Sequence, residues 1–350
     1  MKRKLASIRK ISEIKSIPDA DLICTYIVDG WTIVDSVGKY SVNELVVMLE
    51  IDSFVPTELA SFLSKDKEPR EYMGIRGERL KTVRLKKQIS QGLILSTGMV
   101  LGLMVSNDAY DYGQELSEFL WEGQDVTELL GVVKWEAPEE FIPANAKGNF
   151  PSFIPKTDQQ RVQNLSREFY EWLTDGSVWQ KTEKLDGSSI TVFVNADNSG
   201  VCSRNLELLE DENNTYWKMT KKYKLLETLR STGRNLAFQG EIYGQGISGN
   251  LYGLDDQRFA LYAIYDIDAQ CYLPPDQAYR TALVLGVPHV PHEGNLSLGE
   301  FYDTMQELID DADGMSCVNT KAIREGYVYK NLETNESFKC ISSGYLLKKG

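Results

Sequence analysis

Glu183-Lys184-Leu185-Asp186-Gly187 stands between an apolar-alternating run over 177–184 and the β-branched run Ser188-Ser189-Ile190-Thr191-Val192. The pattern predicts a strand, a tight turn and a second strand, with Lys184 closing the first. A lysine so placed is a candidate nucleophile. It attacks only when neutral, which requires desolvation or nearby cations to lower its pKa. Gly187 permits a close backbone approach to a bound nucleotide. Alone the K-x-D-G match has little weight, since average composition yields one in roughly a tenth of chains this long. An ordinary Asp-Gly hairpin turn has the same letters.

Its company changes that. In order, each at a strand-like position, stand Ser203-Arg204-Asn205, Gly240-Glu241, Glu325-Gly326-Tyr327-Val328 and Phe338-Lys339-Cys340-Ile341. Nucleotidyl transfer from ATP needs an in-line nucleophile, cations on the α-phosphate, a carboxylate for a divalent metal, and polar groups on the ribose. Lys184, Lys339, Glu325, Glu241 and Arg204 cover those roles.

The chain of 350 residues is long enough for two cores. The first 125 or so residues read as short apolar and β-branched runs separated by turns, with Asp29-Gly30 as a hairpin signal. That spacing fits a small β-barrel of the OB kind over 1–137. Residues 138–156, rich in proline and without periodicity, read as a linker. An α+β domain is expected over 157–350. There Thr157-Asp-Gln-Gln160 reads as a capping box opening a helix through Leu173. Strands are expected at 177–184, 188–194, 236–243, 257–267, 326–330 and 336–341, and helices near 213–230, 275–285 and 298–311.

Composition narrows the class. Two histidines, His289 and His292, leave little for histidine-centred chemistry, and five scattered cysteines suit a reducing cytosol. Residues 92–106 are the most apolar stretch but fall short of a membrane span, and read as a buried strand plus turn. Gly244-Gln-Gly-Ile-Ser-Gly249 follows a strand but is not followed by a helix, which excludes a dinucleotide fold. The net charge of −13 argues against nucleic acid, yet it hides a segregation. Residues 65–87 hold nine basic and four acidic side chains, whereas 107–140 hold ten acidic ones and only Lys134. Within the basic segment Arg76, Arg79, Lys81, Arg84, Lys86 and Lys87 are the candidate nucleic-acid contacts, and the acidic run reads as a solvated face.

The five blocks resemble motifs I, Ia, III, IV and V of the covalent nucleotidyltransferases, which include DNA ligases, RNA ligases and mRNA capping enzymes. Thr157 to Asn164 and Gly240-Glu241-Ile242-Tyr243-Gly244 through Asn250 are similar to the Deinococcus-type RNA ligases, which carry an OB module at the N-terminus. Asp29-Gly30-Trp31, Glu50 to Pro56 and Gln88 to Gly92 resemble that module. The resemblance implies an ATP-dependent ligase that forms AMP on Lys184, transfers it to a polynucleotide 5′-phosphate, and joins a 3′-OH with release of AMP. It implies Mg²⁺ or Mn²⁺ at Glu325, Glu183 at the adenine, Arg204 and Glu241 at the sugar, Lys339 at the α-phosphate, and Asp186 and Gly187 at the nucleotide. Phe259 is the candidate ring on the base, within FALYAIY over 259–265, and Arg161 a candidate phosphate contact. The expected partner is a nicked RNA duplex or RNA–DNA hybrid, met by a monomer. Where the family offers a second basic residue after the first of motif V, Ser342-Ser343-Gly344 stand here, leaving Lys348 or Lys349 as substitutes.

Two enzyme alternatives share the motifs. A capping guanylyltransferase would load GTP, and it and an ATP-dependent DNA ligase would place an OB domain after motif V. A nucleic-acid-binding protein with a dead transferase domain would lack some of Lys184, Glu241, Glu325 and Lys339, all of which are present.

Overall fold

Asp29 and Gly30 both take left-handed backbone, with φ of 47° and 76°, and close Ala20–Val28 onto Trp31–Ser36. The two-residue turn has the twist that antiparallel strands require. The computed structural model describes residues 3–65, 67–106, 119–135, 146–196 and 198–349. They fall into two units, Met1–Pro138 with Leu346–Gly350, and Glu139–Tyr345. Leu346–Gly350 thus groups with the first unit, whereas the sequence pattern ran the second domain through residue 350.

In the first unit Ala6–Lys10 and Leu93–Ser96 flank Leu45–Leu49. The central strand buries both faces, Val47 and Leu49 in one core and Val46 and Met48 in another with Tyr26, Trp31 and Ile33. Its unbroken apolar run, LVVML, is what two-sided burial demands. Glu13–Ile17, Ala20–Val28 and Trp31–Ser36 form a meander. Ser53–Pro56 and Ile75–Arg79 centre a four-stranded sheet, and Thr82–Leu85 pairs with Gln88–Gln91. The apolar stretch 92–106 is a strand followed by the helix Gly98–Ser106 rather than by a turn. Residues 107–118 and 136–145, which include seven of the ten acidic side chains of the acidic run and the start of the expected linker, lie outside the described residues.

The rest of that expected linker is part of the second unit. Ala146–Asn149 pairs with Leu206–Leu208, and Ile154 is buried with Phe193 and Cys202. Pro151 opens a turn there, its carbonyl accepting from the Ile154 amide at 3.3 Å. Two antiparallel sheets dominate the unit. One orders Ala146–Asn149, Leu206–Leu208, Asn198–Cys202, Ser188–Asn195, Leu236–Gly244, Gln257–Asp266 and Cys271–Tyr272. The other orders Gln160–Arg161, Ser337–Ile341, Gly326–Asn331, Val178–Glu183 and His292–Ser297, with one parallel edge pair. Helices Thr215–Lys222, Leu225–Ser231 and Pro275–Leu285 cover the first sheet through Trp217, Leu229 and Ala282. Asn214 caps the first of them by accepting from the Tyr216 and Trp217 amides. Helices Ser166–Trp172 and Met305–Ala312 cover the second sheet through Phe169, Leu308 and Ile309.

One expected helix is shorter than the pattern suggests. Thr157 to Asn164 does not open it: Gln160–Arg161 is paired with Phe338 and Lys339, and the helix begins at Ser166 without a side-chain cap. Pairing with a buried strand satisfies those backbone groups better than an exposed first turn would.

Candidate active site

Val178–Glu183 is held between Gly326–Asn331 and His292–Ser297 and delivers Lys184 to its end, where the Lys184 amide donates to the Gly326 carbonyl at 2.9 Å. The next strand, Ser188–Asn195, belongs to the other sheet. Lys184 to Gly187 is therefore the crossing between two sheets, not the turn of a hairpin. Gly187 serves that crossing, since a Cβ there would lie 2.2 Å from the Ile242 carbonyl oxygen. The close approach seen here is to Leu236–Gly244, and Gly187 also lines the cleft.

A cleft of about 300 Å³ opens at this crossing. It gathers Lys184, Arg204, Glu241, Glu325 and Lys339 from distant positions in the chain, and Glu183, Asp186 and Gly187 also line it. Lys184 Nζ lies 2.8 Å from Glu325 Oε1. Lys339 Nζ and Arg204 share the Asp158 carboxylate, at 3.4 and 3.8 Å. Glu183 is buried, accepting from Ser316 Oγ at 2.5 Å and from the Cys317 amide at 2.8 Å. The Asp186 amide donates to the Tyr252 hydroxyl at 2.7 Å.

The electrostatics differ from what an activated lysine needs. Burial pushes Lys184 down, but Glu325, Glu241 and Asp186 outweigh it and hold the ammonium above its ordinary value. Burial raises Glu241 to about 8 against the opposing pull of Lys184, with Glu325 and Asp186 adding to the rise. Glu325 is likewise raised, first by burial. Its Oε2 is buried and has no hydrogen-bond partner among the described residues. An excess of carboxylates over cations and an unmet carboxylate oxygen fit a hard divalent cation with oxygen ligands.

Two expected residues lie elsewhere. Phe259 is fully buried in the core beneath the first sheet, against Tyr223. Tyr262 lines the cleft instead. The ladder between Leu236–Gly244 and Gln257–Asp266 pairs Gln239 with Ala263 and Gly240 with Leu261, so Tyr262 is the extra residue of a β-bulge. A bulge re-aims the side chain it carries. Arg161 is buried in the sheet beside Lys339 rather than exposed on a helix, and it is not among the lining residues.

Other contributors carry no motif. Asp158 bridges two motif cations, Tyr252 holds the Asp186 amide, and Tyr262 hydrogen-bonds Thr157 and Ser189. Lys330 lines the cleft, donates to the Tyr262 carbonyl, and is pushed down to about 8 by burial. Only the lysine three places after Tyr327 was visible in the sequence, and nothing there marked it as buried. In the first unit Arg76 pairs with Glu68 at 2.5 Å and Arg79 with Asp52 at 2.6 Å, while Lys81, Arg84, Lys86 and Lys87 are exposed. Lys348 and Lys349 are exposed on the helix Ser343–Lys349.

Fold and cleft together define a nucleotidyltransferase-type protein with an N-terminal OB-fold domain. The model of the RNA ligase family matches residues 177–341, and that of an OB-fold domain matches residues 5–97. The Naegleria gruberi RNA ligase with PPi is 41% identical at a TM-score of 0.84, covering 98% of each chain. Mutants of that ligase with AMP and Mn (41% identity, TM-score 0.86) and with ATP and Mn (40% identity, TM-score 0.85) are similar over 99% of both chains. No curated protein sequence matches. The chain belongs to the RNA ligase family.

Proposed function

We propose that this ATP-dependent RNA ligase seals nicks carrying a 3′-OH and a 5′-phosphate in duplex RNA or RNA–DNA hybrid, with AMP held on Lys184 between steps. The observation that carries the reading is the convergence of Lys184, Lys339, Arg204 and five carboxylates on one cleft at a sheet crossing. The Naegleria ligase structures with ATP, AMP, Mn and PPi support the nucleotide and the metal. The positions altered in that ligase agree: a lysine, an aspartate two places on, and a glutamate as far from the lysine as Glu241 is from Lys184.

In the first step Lys184 Nζ attacks the α-phosphorus of ATP; the N–P bond forms, the bond to pyrophosphate breaks, and the amine loses its proton. Lys339 and Arg204 hold phosphate oxygens once they leave Asp158. In the second step an oxygen of the polynucleotide 5′-phosphate attacks the same phosphorus and Lys184 leaves. In the third, the 3′-OH attacks the 5′-phosphate and AMP departs with its bridging oxygen. Glu325, with Asp186 and Glu241 near it, would hold Mg²⁺ or Mn²⁺, which supplies countercharge for the carboxylates and for the developing phosphate charge. Glu183 reads the base once it releases Ser316 or the Cys317 amide, and Tyr262, Val290 and Val328 offer the apolar walls of the same cleft. Arg204 and Glu241 suit the ribose.

The OB-fold unit, through the basic segment 65–87, grips the nucleic acid. The enzyme acts as a monomer. Among the described residues no helix is long and apolar enough to cross a membrane. Free cysteines, three of them buried, support a cytosolic setting. Incubation with α-labelled ATP or GTP and Mg²⁺ or Mn²⁺, followed by a denaturing gel, tests the first step. Label from GTP alone would turn the reading toward a capping enzyme, and no label would turn it toward a binding protein. Nicks differing only in the sugar at each terminus then test the substrate.

A further inference from the structure

Thr82–Leu85 and Gln88–Gln91 form a two-stranded sheet of their own. The turn between them is Lys86-Lys87, both in left-handed backbone with φ of 47° and 67°. Side chains with a Cβ disfavour that region, which is why such turns favour Asn-Gly or Asp-Gly. Two other two-residue turns of this unit, Asp29-Gly30 and Met73-Gly74, carry the glycine. Paired lysines are a less favourable choice for this tip than Asn-Gly.

The ion pairs of the basic segment divide it. Arg70 faces Glu78 at 3.5 Å, Arg76 faces Glu68 at 2.5 Å, and Arg79 faces Asp52 at 2.6 Å. Arg84, Lys86 and Lys87 are exposed, and among the described residues no ion pair engages them. On the same strand Val83 and Leu85, alternate residues of one face, are 45% and 43% exposed. A protein of net charge −13 repels a polyanion in general, so association depends on a local cluster of unneutralised cations.

We infer that the tip of this hairpin, Lys86 and Lys87 with Arg84 beside them, is the phosphate grip on the RNA, and that Arg70, Arg76 and Arg79 are structural. The inference rests on the reading that the basic segment binds nucleic acid, and it assigns the contact within that segment.

Binding of the full chain to a labelled nicked RNA duplex, without ATP or metal, tests it across about 50 to 200 mM salt. Lys86→Asn with Lys87→Gly supplies the favoured turn, so its thermal midpoint is expected to be no lower than that of the wild type. Its affinity is expected to fall about tenfold, and the slope of log K against log salt to shrink by about two. Arginines at both places should preserve binding. Wild-type affinity and slope in the Asn-Gly variant, together with loss in Arg70→Gln/Arg76→Gln, would overturn the inference and leave the segment as the RNA site. If neither variant changes RNA binding, the reading beneath it fails as well. Tighter binding of the wild type to phosphatidylserine vesicles than to RNA would assign the hairpin to a membrane surface and overturn the inference.

Discussion

Lys184 Nζ sits 2.8 Å from Glu325 Oε1, and the pair keeps the lysine protonated until its carboxylate neighbours are neutralised. Metal countercharge removes what opposes the effect of burial on Lys184. Lysine adenylylation is therefore expected to quicken as pH rises, and its pH profile to move toward lower pH as Mg²⁺ or Mn²⁺ is increased from limiting levels. Initial rates of protein labelling across a pH and metal grid read this out. A profile indifferent to metal would detach the proton from the carboxylates.

Lys184→Ala should show no labelling from ATP while still joining a nick whose 5′-phosphate already carries AMP, at a reduced rate. The two assays separate the first step from the third. Labelling of the variant at the wild-type rate would remove Lys184 as the nucleophile.

Glu241 is raised to about 8, chiefly by burial. The folded chain then binds this proton more tightly than the unfolded one, so stability falls as pH rises from the usual carboxylate range toward 8. Glu241→Gln removes that liability. Without nucleotide or metal, the variant's thermal midpoint should gain on the wild type by about 2–4 °C as pH crosses this window. A constant difference at all pH values would count against the burial argument.

Phe259 and Tyr262 make a paired test. Phe259→Ala leaves a cavity in the core and should cost about 3–5 kcal/mol of stability in denaturant unfolding, with the KM for ATP little changed in the protein that folds. Tyr262→Ala should raise that KM at least about tenfold for a smaller loss of stability, because its ring lines the cleft. The reverse ranking would return Phe259 to the nucleotide.

Gly187→Ala is expected to compromise folding rather than chemistry alone. Its Cβ meets a backbone carbonyl at 2.2 Å, and a strand cannot step aside as a flexible side chain can. Overpacking of this kind costs about 1–3 kcal/mol or more. A variant with unchanged thermal midpoint and lost adenylylation would instead place the nucleotide against this glycine.

Much of this was legible because each motif residue sits within a strand, as Glu241 and Lys339 do, or just beyond the end of one, as Lys184, Arg204 and Glu325 do, where period-2 patterning is visible in sequence. The six strands expected in the second domain match those observed to within a few residues. Asp158 could not be read in this way: its role depends on Lys339, which only the parallel pairing of Gln160–Arg161 with Ser337–Ile341 brings near. The capping-box letters at Thr157 to Gln160 pointed to a helix because local propensity cannot register a partner strand about 180 residues away. Phe259 and Tyr262 were indistinguishable for a related reason. In FALYAIY nearly every residue is apolar or aromatic, so alternation carries no face information and a one-residue bulge leaves no trace.

That bulge gives the strand two different jobs on either side of one position. Phe259 and Leu261 point into the core before it and Ile264 does so after it, an arrangement an uninterrupted ladder could not produce. Deleting one residue here would make the pairing more regular and erase the wall of the cleft. The imperfection is thus the address at which the sheet hands a side chain to the cleft, and insertions or deletions within 257–266 should be the least tolerated of any in that sheet.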